Sequence, residues 1–314
     1  MKLSSVQAVP LAYFLEVAQR GSISAASQTL HVAVSAISRQ IGRLESDLGM
    51  ALFHRTGRGM ALTEAGALVQ RHARRALLEA ETLQSELDAL RGLERSTIRL
   101  ACTDGFAQDY LPAVITHFRR AHPGVVFALE VCAPAVATRL VREGEADVAL
   151  TFTIAAQEGV HVAYSEPAPI FAHMADAHPL AGRREVSMRE LVAYPVVLPS
   201  APNIVRQLFD LVCGLEDLRP TVLLSSNSLA SLTGFLHYDQ AINFCGSLSV
   251  RNRLRAQRQT LVPIGDREMQ QRVLQVQTMA GRSQSPAVRA FIETLVGDIR
   301  KRRRGLSTQR RAPR

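Results

Sequence analysis

The stretch GSISAASQTLHVAVSAISRQIGRLESDLG, residues 21–49, predicts two short helices in tandem. Ser22 or Ser24 can cap the first helix, and Gly49 can end the second, which begins near Ala33. In the second helix, apolar residues recur at spacings of four, three and four, the pattern of one buried helix face. These residues are Ile37, Ile41, Leu44 and Leu48. The stretch therefore predicts a helix-turn-helix whose second helix keeps a free polar face.

This polar face carries small hydroxyls and arginines, which suit a groove of double-stranded DNA. Arginine binds phosphates and guanine edges, and serine allows the backbone to approach. Short strands predicted at 52–55 and 60–62 enclose a basic, glycine-rich tip, typical of the wing in a winged helix-turn-helix. The candidate DNA-binding residues are Val34, Ser35, Ser38, Arg39 and Arg43 on the helix, and Arg55 and Arg58 on the wing. A solvated surface helix is the alternative for the helix alone.

Residues 11–66 resemble the N-terminal domain of LysR-type transcriptional regulators. The matching residues include Phe14, Val17, Ala18, Gly21, Ser22, Ala25, Ala26, Leu30, His31, Val32, Ser38, Arg39, Gln40, Ile41, Leu44, Glu45, Leu48, Gly49, Leu52, Phe53, Arg55, Leu62, Thr63, Ala65 and Gly66. Two positions depart from the family pattern. Ala33 has no side chain that can cap the second helix, and Val34 stands where the family commonly has a base-facing glutamine. We expect these changes to shift the operator preference and to preserve DNA binding.

A long helix is predicted after the wing, with Thr63 as its cap. Seven residues recur along it at alternating spacings of four and three, which is the seam of a coiled coil. They are Val69, Ala73, Ala76, Ala80, Leu83, Leu87 and Leu90. Packing against the chain's own domain is the alternative. The regular seam favours a second copy, so we predict a homodimer, and the resemblance implies a homotetramer as well.

From residue 97 the pattern alternates between strands and helices, which predicts parallel sheets covered by helices. The phrases LPAVITHFRRAHPGV, 111–125, and LVREGEADVAL, 140–150, resemble the effector domain of the same family. The resemblance implies an α/β chain in which a winged helix-turn-helix and a long linker helix precede a two-subdomain effector domain like that of periplasmic binding proteins. The predicted boundaries are 1–63 for the DNA-binding domain, 64–96 for the linker helix with a hinge at 91–96, 97–301 for the effector domain and 302–314 for a basic disordered tail. Subdomain I comprises 97–165 and 266–301, and subdomain II comprises 166–265.

In sheets of this kind a ligand lies beyond the carboxyl ends of the strands, where helices begin. Five predicted strand ends carry hydroxyls, amides, glycines or aromatic rings that can face a ligand. The candidate effector-binding residues are Thr103, Asp104, Phe106, Thr151, Ser200, Asn203, Asn227, Ser228 and Gly246. Helix capping is the alternative role for the serines and asparagines. Asp104 favours a cationic or hydroxyl-rich ligand, or serves only as a cap.

The net charge of +9 is concentrated at the C-terminus, where residues 300–314 hold eight basic residues and no acid, so that the rest carries about +1. The DNA-binding prediction therefore depends on the pattern around Arg39 and not on the total charge. No apolar run reaches the length of a membrane span, and the first residues lack the pattern of a signal peptide. We therefore predict a cytoplasmic protein without a membrane partner.

The four cysteines form no CxxC motif and have no histidine at ligand spacing, so we predict no metal site and no cofactor. The sequence also has no nucleophile elbow or phosphate-binding loop, so we predict no catalytic residues and no enzyme. The leading interpretation is a LysR-type DNA-binding regulator whose C-terminal domain binds a small-molecule effector. A redox-sensing regulator that uses its thiols, and a ligand-independent DNA-binding protein, are the alternatives. The predicted partners are double-stranded operator DNA with inverted half-sites, a small-molecule effector and further copies of the chain, with RNA polymerase as another candidate.

Overall fold

The computed structural model describes residues 9–57, 59–90 and 96–309, which fall into two units. The first unit comprises 1–95 and 281–286, and the second comprises 96–280 and 287–314. Of the predicted hinge at 91–96, residues 91–95 lie outside the described residues, as do the last five residues. Within the described ranges, none of the helices combines the length and the apolar composition that a bilayer crossing requires.

The first unit contains three short helices, a two-stranded hairpin and one long helix. The elements are α1 (Val9–Arg20), α2 (Ile23–Leu30), α3 (Val34–Leu48), β1 (Phe53–Thr56), β2 (Gly59–Leu62) and α4 (Glu64–Leu90). This order matches the predicted helix-turn-helix, wing and linker helix.

Local signals set the ends of α2 and α3. The Ser22 hydroxyl accepts a hydrogen bond from the Ala25 amide at 3.4 Å and so caps α2. Gly49 ends α3 at a φ of 66°, in the left-handed region that glycine adopts without steric cost. Ala33 precedes α3 with no side-chain cap, so this helix lacks a contribution of about 1 kcal/mol that a serine or threonine would supply.

One apolar core joins the three short helices to the wing. Its buried side chains are Phe14, Val17, Ala26, Ile37, Ile41, Leu52 and Phe53. The wing also touches the turn after α1, where the Met60 amide donates a hydrogen bond to the Gly21 carbonyl at 2.7 Å. A Cβ atom on Gly59 would lie 2.3 Å from that same carbonyl oxygen, so only glycine allows this approach.

The second unit contains two five-stranded sheets. Its elements are β3 (Ser96–Cys102), α5 (Asp104–Ala107), α6 (Tyr110–Ala121), β4 (Val125–Val131), α7 (Pro134–Arg142), β5 (Val148–Thr153), β6 (Val160–Pro167), β7 (Phe171–Ala175), α8 (Met188–Leu191), β8 (Val196–Pro199), α9 (Ile204–Leu215), β9 (Val222–Ser226), α10 (Leu229–Phe235), β10 (Ile242–Cys245), α11 (Ser247–Val250), α12 (Leu254–Gln257), β11 (Gln259–Pro263), β12 (Val273–Met279) and α13 (Pro286–Gln309). A 3₁₀ helix at Arg267–Gln270 precedes β12.

The strand order is β4-β3-β5-β12-β6 in the first sheet and β11-β7-β10-β8-β9 in the second. Both sheets are mixed, so the prediction of parallel sheets is wrong for part of each. In the first sheet, β12 runs antiparallel to both β5 and β6, and in the second, β7 runs antiparallel to β10 and β11. The reason is topological, because the chain crosses twice between the sheets and returns in the opposite direction each time.

The two crossings lie at 168–170 and 264–272, between strands of different sheets. Ser165, where we predicted the first crossing, lies inside β6 and pairs with Gln275 of β12. Subdomain I therefore includes all of β6. The crossings are joined by hydrogen bonds from the Ala168 amide to the Arg272 carbonyl, 2.8 Å, and from the Ile170 amide to the Met269 carbonyl, 3.0 Å.

The prediction of a disordered tail from residue 302 is wrong for 302–309, where α13 continues. Arg302 stabilises this extension, because its guanidinium pairs with Asp298 one turn earlier at 2.6 Å and donates to the Asn252 side chain at 3.0 Å. Arg251 also donates to the Arg302 carbonyl at 3.0 Å. These contacts bring the end of α13 from subdomain I against subdomain II.

Candidate functional site

The first half of α3 presents a continuous exposed surface. Ile37 and Ile41 are buried on one side of the helix, and the predicted DNA-binding side chains lie on the other. All five predicted positions on this helix are exposed: Val34, Ser35, Ser38, Arg39 and Arg43. Arg43 lies 4.0 Å from Asp47 on the same helix, and both side chains remain more than two-thirds exposed. Such a pair is weak in water, so Arg43 can exchange it for a phosphate.

The wing places the backbone of Arg55 opposite Met60 in the β1–β2 hairpin. The Arg55 side chain and the whole of Arg58 lie outside the described residues. Their predicted contacts with DNA phosphates therefore remain predictions.

Glu45 is a structural residue that the pattern of α3 did not reveal. One of its carboxylate oxygens accepts hydrogen bonds from the Leu52 amide at 2.7 Å and the Phe53 amide at 3.3 Å. Charge-assisted bonds of this kind are stronger than neutral ones. Glu45 thus fastens the last turns of α3 to the first strand of the wing. The residues around Glu45 predict only a helix, and they do not predict hydrogen bonds to backbone amides seven and eight positions later.

The predicted seam of α4 divides into two sets. Ala73 and Ala80 are buried within the single chain, whereas Ala76 and Leu83 are exposed, and Leu83 retains 43% of its surface. Val69 and Leu87 are half-buried, and the side chain of Leu90 lies outside the described residues. One edge of the seam is therefore covered already, because the chain itself packs there, and the other edge remains open.

A cavity of about 550 Å³ lies between the two sheets of the second unit, at the ends of strands. We call it the first cavity. Of the nine candidate effector-binding residues, seven line it: Thr103, Asp104, Ser200, Asn203, Asn227, Ser228 and Gly246. Two do not, because Phe106 is fully buried against the ring of Phe152 at 4.6 Å and Thr151 is buried inside β5. Side chains alternate along a strand, so Phe152 faces the cavity and its neighbour Thr151 faces away.

The polar side chains around the first cavity differ in what they already bind. Asn203 accepts from the Val205 amide at 2.8 Å and Ser228 from the Ser231 amide at 3.4 Å, so both cap helices. The Asp104 carboxylate accepts from the Leu229 amide across the cleft and therefore joins the two subdomains. The Thr103 hydroxyl is buried without a hydrogen-bond partner among the described residues. This hydroxyl therefore keeps its capacity to form a hydrogen bond at the wall of the cavity.

Arg272 also lines the first cavity, and we did not predict it. It is only 3% exposed, and burial lowers the pKa of its guanidinium to about 10. In the sequence, the only feature that could have indicated Arg272 as a cavity residue was its position directly before an apolar strand. That position did not show that β12 would insert beside β5, more than a hundred residues earlier in the chain.

The cysteines are free thiols in a setting that disfavours thiolate. Burial raises the pKa of Cys102 and of Cys245 to about 12, and that of Cys213 to about 11. Because the thiolate is the reactive form, these values argue against redox sensing by the three buried cysteines. Burial also raises the pKa of Cys132, the half-buried member of the set. In the described part of the chain, no group of three or more metal-ligating side chains could hold a metal ion.

Two family models match the chain. "Bacterial regulatory helix-turn-helix protein, lysR family" matches residues 10–67, and "LysR substrate binding domain" matches residues 91–299. The transcriptional dual regulator GltC of Bacillus subtilis (strain 168) is 30% identical over 229 residues, which cover 72% of this chain and 76% of GltC.

Two solved structures share the fold. A full-length OxyR variant from Pseudomonas aeruginosa is 20% identical with a TM-score of 0.68, covering 96% of this chain and 95% of that one. Full-length CbnR in complex with its target DNA is also 20% identical, with a TM-score of 0.56, covering 94% of this chain and 99% of CbnR. At these identities the likeness concerns the fold alone.

Proposed function

The chain belongs to the LysR family of DNA-binding transcriptional regulators, and from this premise we propose how it reads DNA and what it senses. It binds a double-stranded operator through the exposed face of α3, and a small molecule in the first cavity alters transcription of the target genes. The observation that carries this proposal is a set of exposed serines and arginines on a helix fixed to its wing by Glu45. Because a protein that binds operator DNA must reach the chromosome, the proposed location is the cytoplasm.

We assign base and phosphate contacts to different parts of α3. Ser35, Ser38 and Arg39 lie near its N-terminal end, where the backbone can approach a groove closely. Arg43 lies one turn further on and is suited to a phosphate. Val34 is 46% exposed and can contact a thymine methyl group, but it cannot exchange hydrogen bonds with a base edge. The expected operator therefore differs from those read through a glutamine at this position.

Arg39→Ala is expected to lower operator affinity by about 1–3 kcal/mol, because it removes a charged donor from the centre of this face. Genomic footprinting would first identify the operator, and a mobility-shift titration at fixed salt would then measure the affinity. Arg20→Ala is the matched control, since Arg20 pairs with Glu16 on α1, outside this face. Equal affinities for Arg39→Ala and the wild type would remove Arg39 from the contact.

The open edge of α4 supports assembly of two copies. Ala76 and Leu83 are exposed apolar residues seven positions apart, as in a coiled-coil seam. A symmetric dimer calls for an operator with inverted half-sites. Pairing of two dimers into a tetramer, and contact with RNA polymerase, are further parts of the proposal.

The first cavity is the proposed effector site. Its size suits a small metabolite, and Thr103, Ser200 and Asn227 offer polar groups along its walls. Closure of the two subdomains around a ligand would favour one arrangement of the protein over another, as regulation requires. A ligand-independent DNA-binding protein would not be stabilised by any small molecule, so a thermal-shift screen of metabolites separates the two functions.

Thr103→Val keeps the shape of this side chain and removes its unpartnered hydroxyl. We expect it to raise the effector concentration for half-maximal response about fivefold, as the loss of one hydrogen bond of about 1 kcal/mol implies. The measurement is a reporter dose–response with the first compound that the thermal-shift screen identifies. Thr116→Val, on the exposed side of α6, is the control. If the dose–response curves of the wild type, Thr103→Val and Thr116→Val coincide, the effector binds elsewhere.

A further inference from the structure

A second cavity, of about 570 Å³, lies in the effector domain behind the first. Its wall is largely apolar, and much of it comes from the segments around the two crossings between the subdomains. The apolar wall includes Phe152, Pro167, Phe171, Leu248, Leu254 and Leu261. The two cavities share Phe152, Gly246 and Arg272, so these residues form a partition between them.

The charged group of this partition is Arg272. Its guanidinium donates to the Ala168 carbonyl at 2.9 Å and lies 3.9 Å from the centre of the Phe152 ring. Among the described residues, no carboxylate lies within ion-pair distance of this guanidinium. A buried cation without an anionic partner is costly, and an incoming anion would reduce that cost.

The rest of the second cavity adds to the positive charge. Arg251 and Arg303 also line it, and Glu166 is the one acid among the described lining residues, so that with Arg272 the formal excess is two positive charges. Arg303 lies 3.9 Å from Glu166. The Nη1 of Arg251 donates a hydrogen bond to the Arg302 carbonyl at 3.0 Å, and the other N–H groups of its guanidinium can donate to a ligand.

We propose that the second cavity is a binding site for a small amphipathic carboxylate, distinct from the effector site in the first cavity. The apolar part of the ligand lies against the Phe171, Leu248 and Leu254 side of the cavity. The carboxylate pairs with the guanidinium of Arg272, which fits planar two-oxygen anions. The charge excess selects an anion over a neutral compound of the same shape.

The place of Arg272 makes this site a regulatory one. Its guanidinium and carbonyl both bind Ala168, so it connects the two crossings on which the subdomains turn. A Cβ atom on Gly246 would lie 2.5 Å from the Arg272 Nη2, so the guanidinium also touches the floor of the first cavity. A carboxylate that pairs with Arg272 in the second cavity therefore reduces the positive charge at the wall of the first cavity.

The test uses the absence of tryptophan from the sequence. Phe171→Trp in the full-length protein places one fluorescent reporter in the second cavity, and Leu229→Trp places one in the first. Each protein is titrated with 3-phenylpropionate and with the neutral 3-phenylpropan-1-ol, and tryptophan emission is recorded. We expect a saturable change in Phe171→Trp with the acid and binding of the alcohol about tenfold weaker. We expect no change in Leu229→Trp at the same concentrations.

Arg272→Met in the Phe171→Trp background is expected to abolish binding of the acid, and Arg272→Lys to weaken it, which keeps the test usable if the first variant does not fold. Thr103→Val in that background should leave binding of the acid unchanged, because Thr103 lines only the first cavity.

Three results overturn the proposal: no response of Phe171→Trp up to about 10 mM acid, equal binding of acid and alcohol, or a response of Leu229→Trp alone. None of these results contradicts effector binding in the first cavity, and a response of Leu229→Trp alone would place the acid there.

Discussion

Leu83→Asp is expected to convert the proposed dimer into monomers and to lower operator affinity about a hundredfold or more. Leu83 is 43% exposed in the single chain and lies on the open edge of the α4 seam. A carboxylate there would have to enter a desolvated contact between two helices. Without the dimer, the second half-site is no longer bound by a tethered partner, so its high effective concentration is lost.

Sedimentation of the purified protein measures the mass, and a mobility-shift titration measures the affinity. Ser85→Asp is the matched control, since it adds the same charge to α4 two residues away and outside the predicted seam. A Leu83→Asp protein that keeps the wild-type mass would show that this edge is not the dimer contact. If the mass falls but the affinity does not, the operator is read by one protomer.

Acid is expected to weaken the second sheet through His173. This side chain is fully buried on β7, where its Nε2 lies 3.0 Å from the side-chain Oε1 of Gln259 and its Nδ1 lies 3.4 Å from the side-chain Nδ2 of Asn243. These partners suit the neutral tautomer with a proton on Nε2. Burial lowers its pKa to about 4, and the nearby charges of Arg253 and His237 act in the same direction.

The folded pKa lies below the usual value of 6.5, so the unfolded chain takes up the proton first as the pH falls. The stability that this neutral histidine provides is complete above about pH 6.5 and decreases toward pH 4. The loss at pH 4.5 is about 2–3 kcal/mol relative to pH 7.

Urea unfolding followed by circular dichroism at pH 7 and pH 4.5 measures this loss. His173→Gln cannot titrate, so its stability should change less between the two pH values than that of the wild type. His161→Gln, at an exposed position, should keep the wild-type dependence. Equal pH dependence in all three proteins would exclude His173 as the source.

The parts of the fold that the sequence predicted best depend on neighbouring residues. The cap by Ser22 and the stop at Gly49 are set within a few positions, and both are present. On the predicted buried side of α3, Ile37 and Ile41 are buried, but Leu48 at the end of the helix is 46% exposed. Two strands, β6 and β11, were not predicted. Most of β6 is exposed and lacks apolar alternation, and its pairing with β12 depends on residues more than a hundred positions away.

The candidate site follows the same rule. Strand-end residues such as Thr103 and Asn227 were predicted to lie together, because the carboxyl ends of parallel strands lie at one edge of a sheet, and both line the first cavity. Arg272 was not predicted, since it reaches the partition only through the return of β12. The carboxylate of Asp104 was assigned to a ligand or a local cap; it lines the first cavity, and it also accepts a hydrogen bond from the Leu229 amide in the other subdomain, which the sequence did not predict.

The two hydrogen bonds that Glu45 accepts from the amides of Leu52 and Phe53 have a consequence for operator choice. Because α3 and the wing are held at a fixed separation, the protein has little freedom to follow changes in groove width along the DNA. Any mismatch must be absorbed by bending or compression of the duplex itself, which costs more in stiff sequences than in flexible ones. We therefore expect bases that no side chain touches, between the groove and the flanking phosphates, to contribute to operator choice through the ease with which they bend.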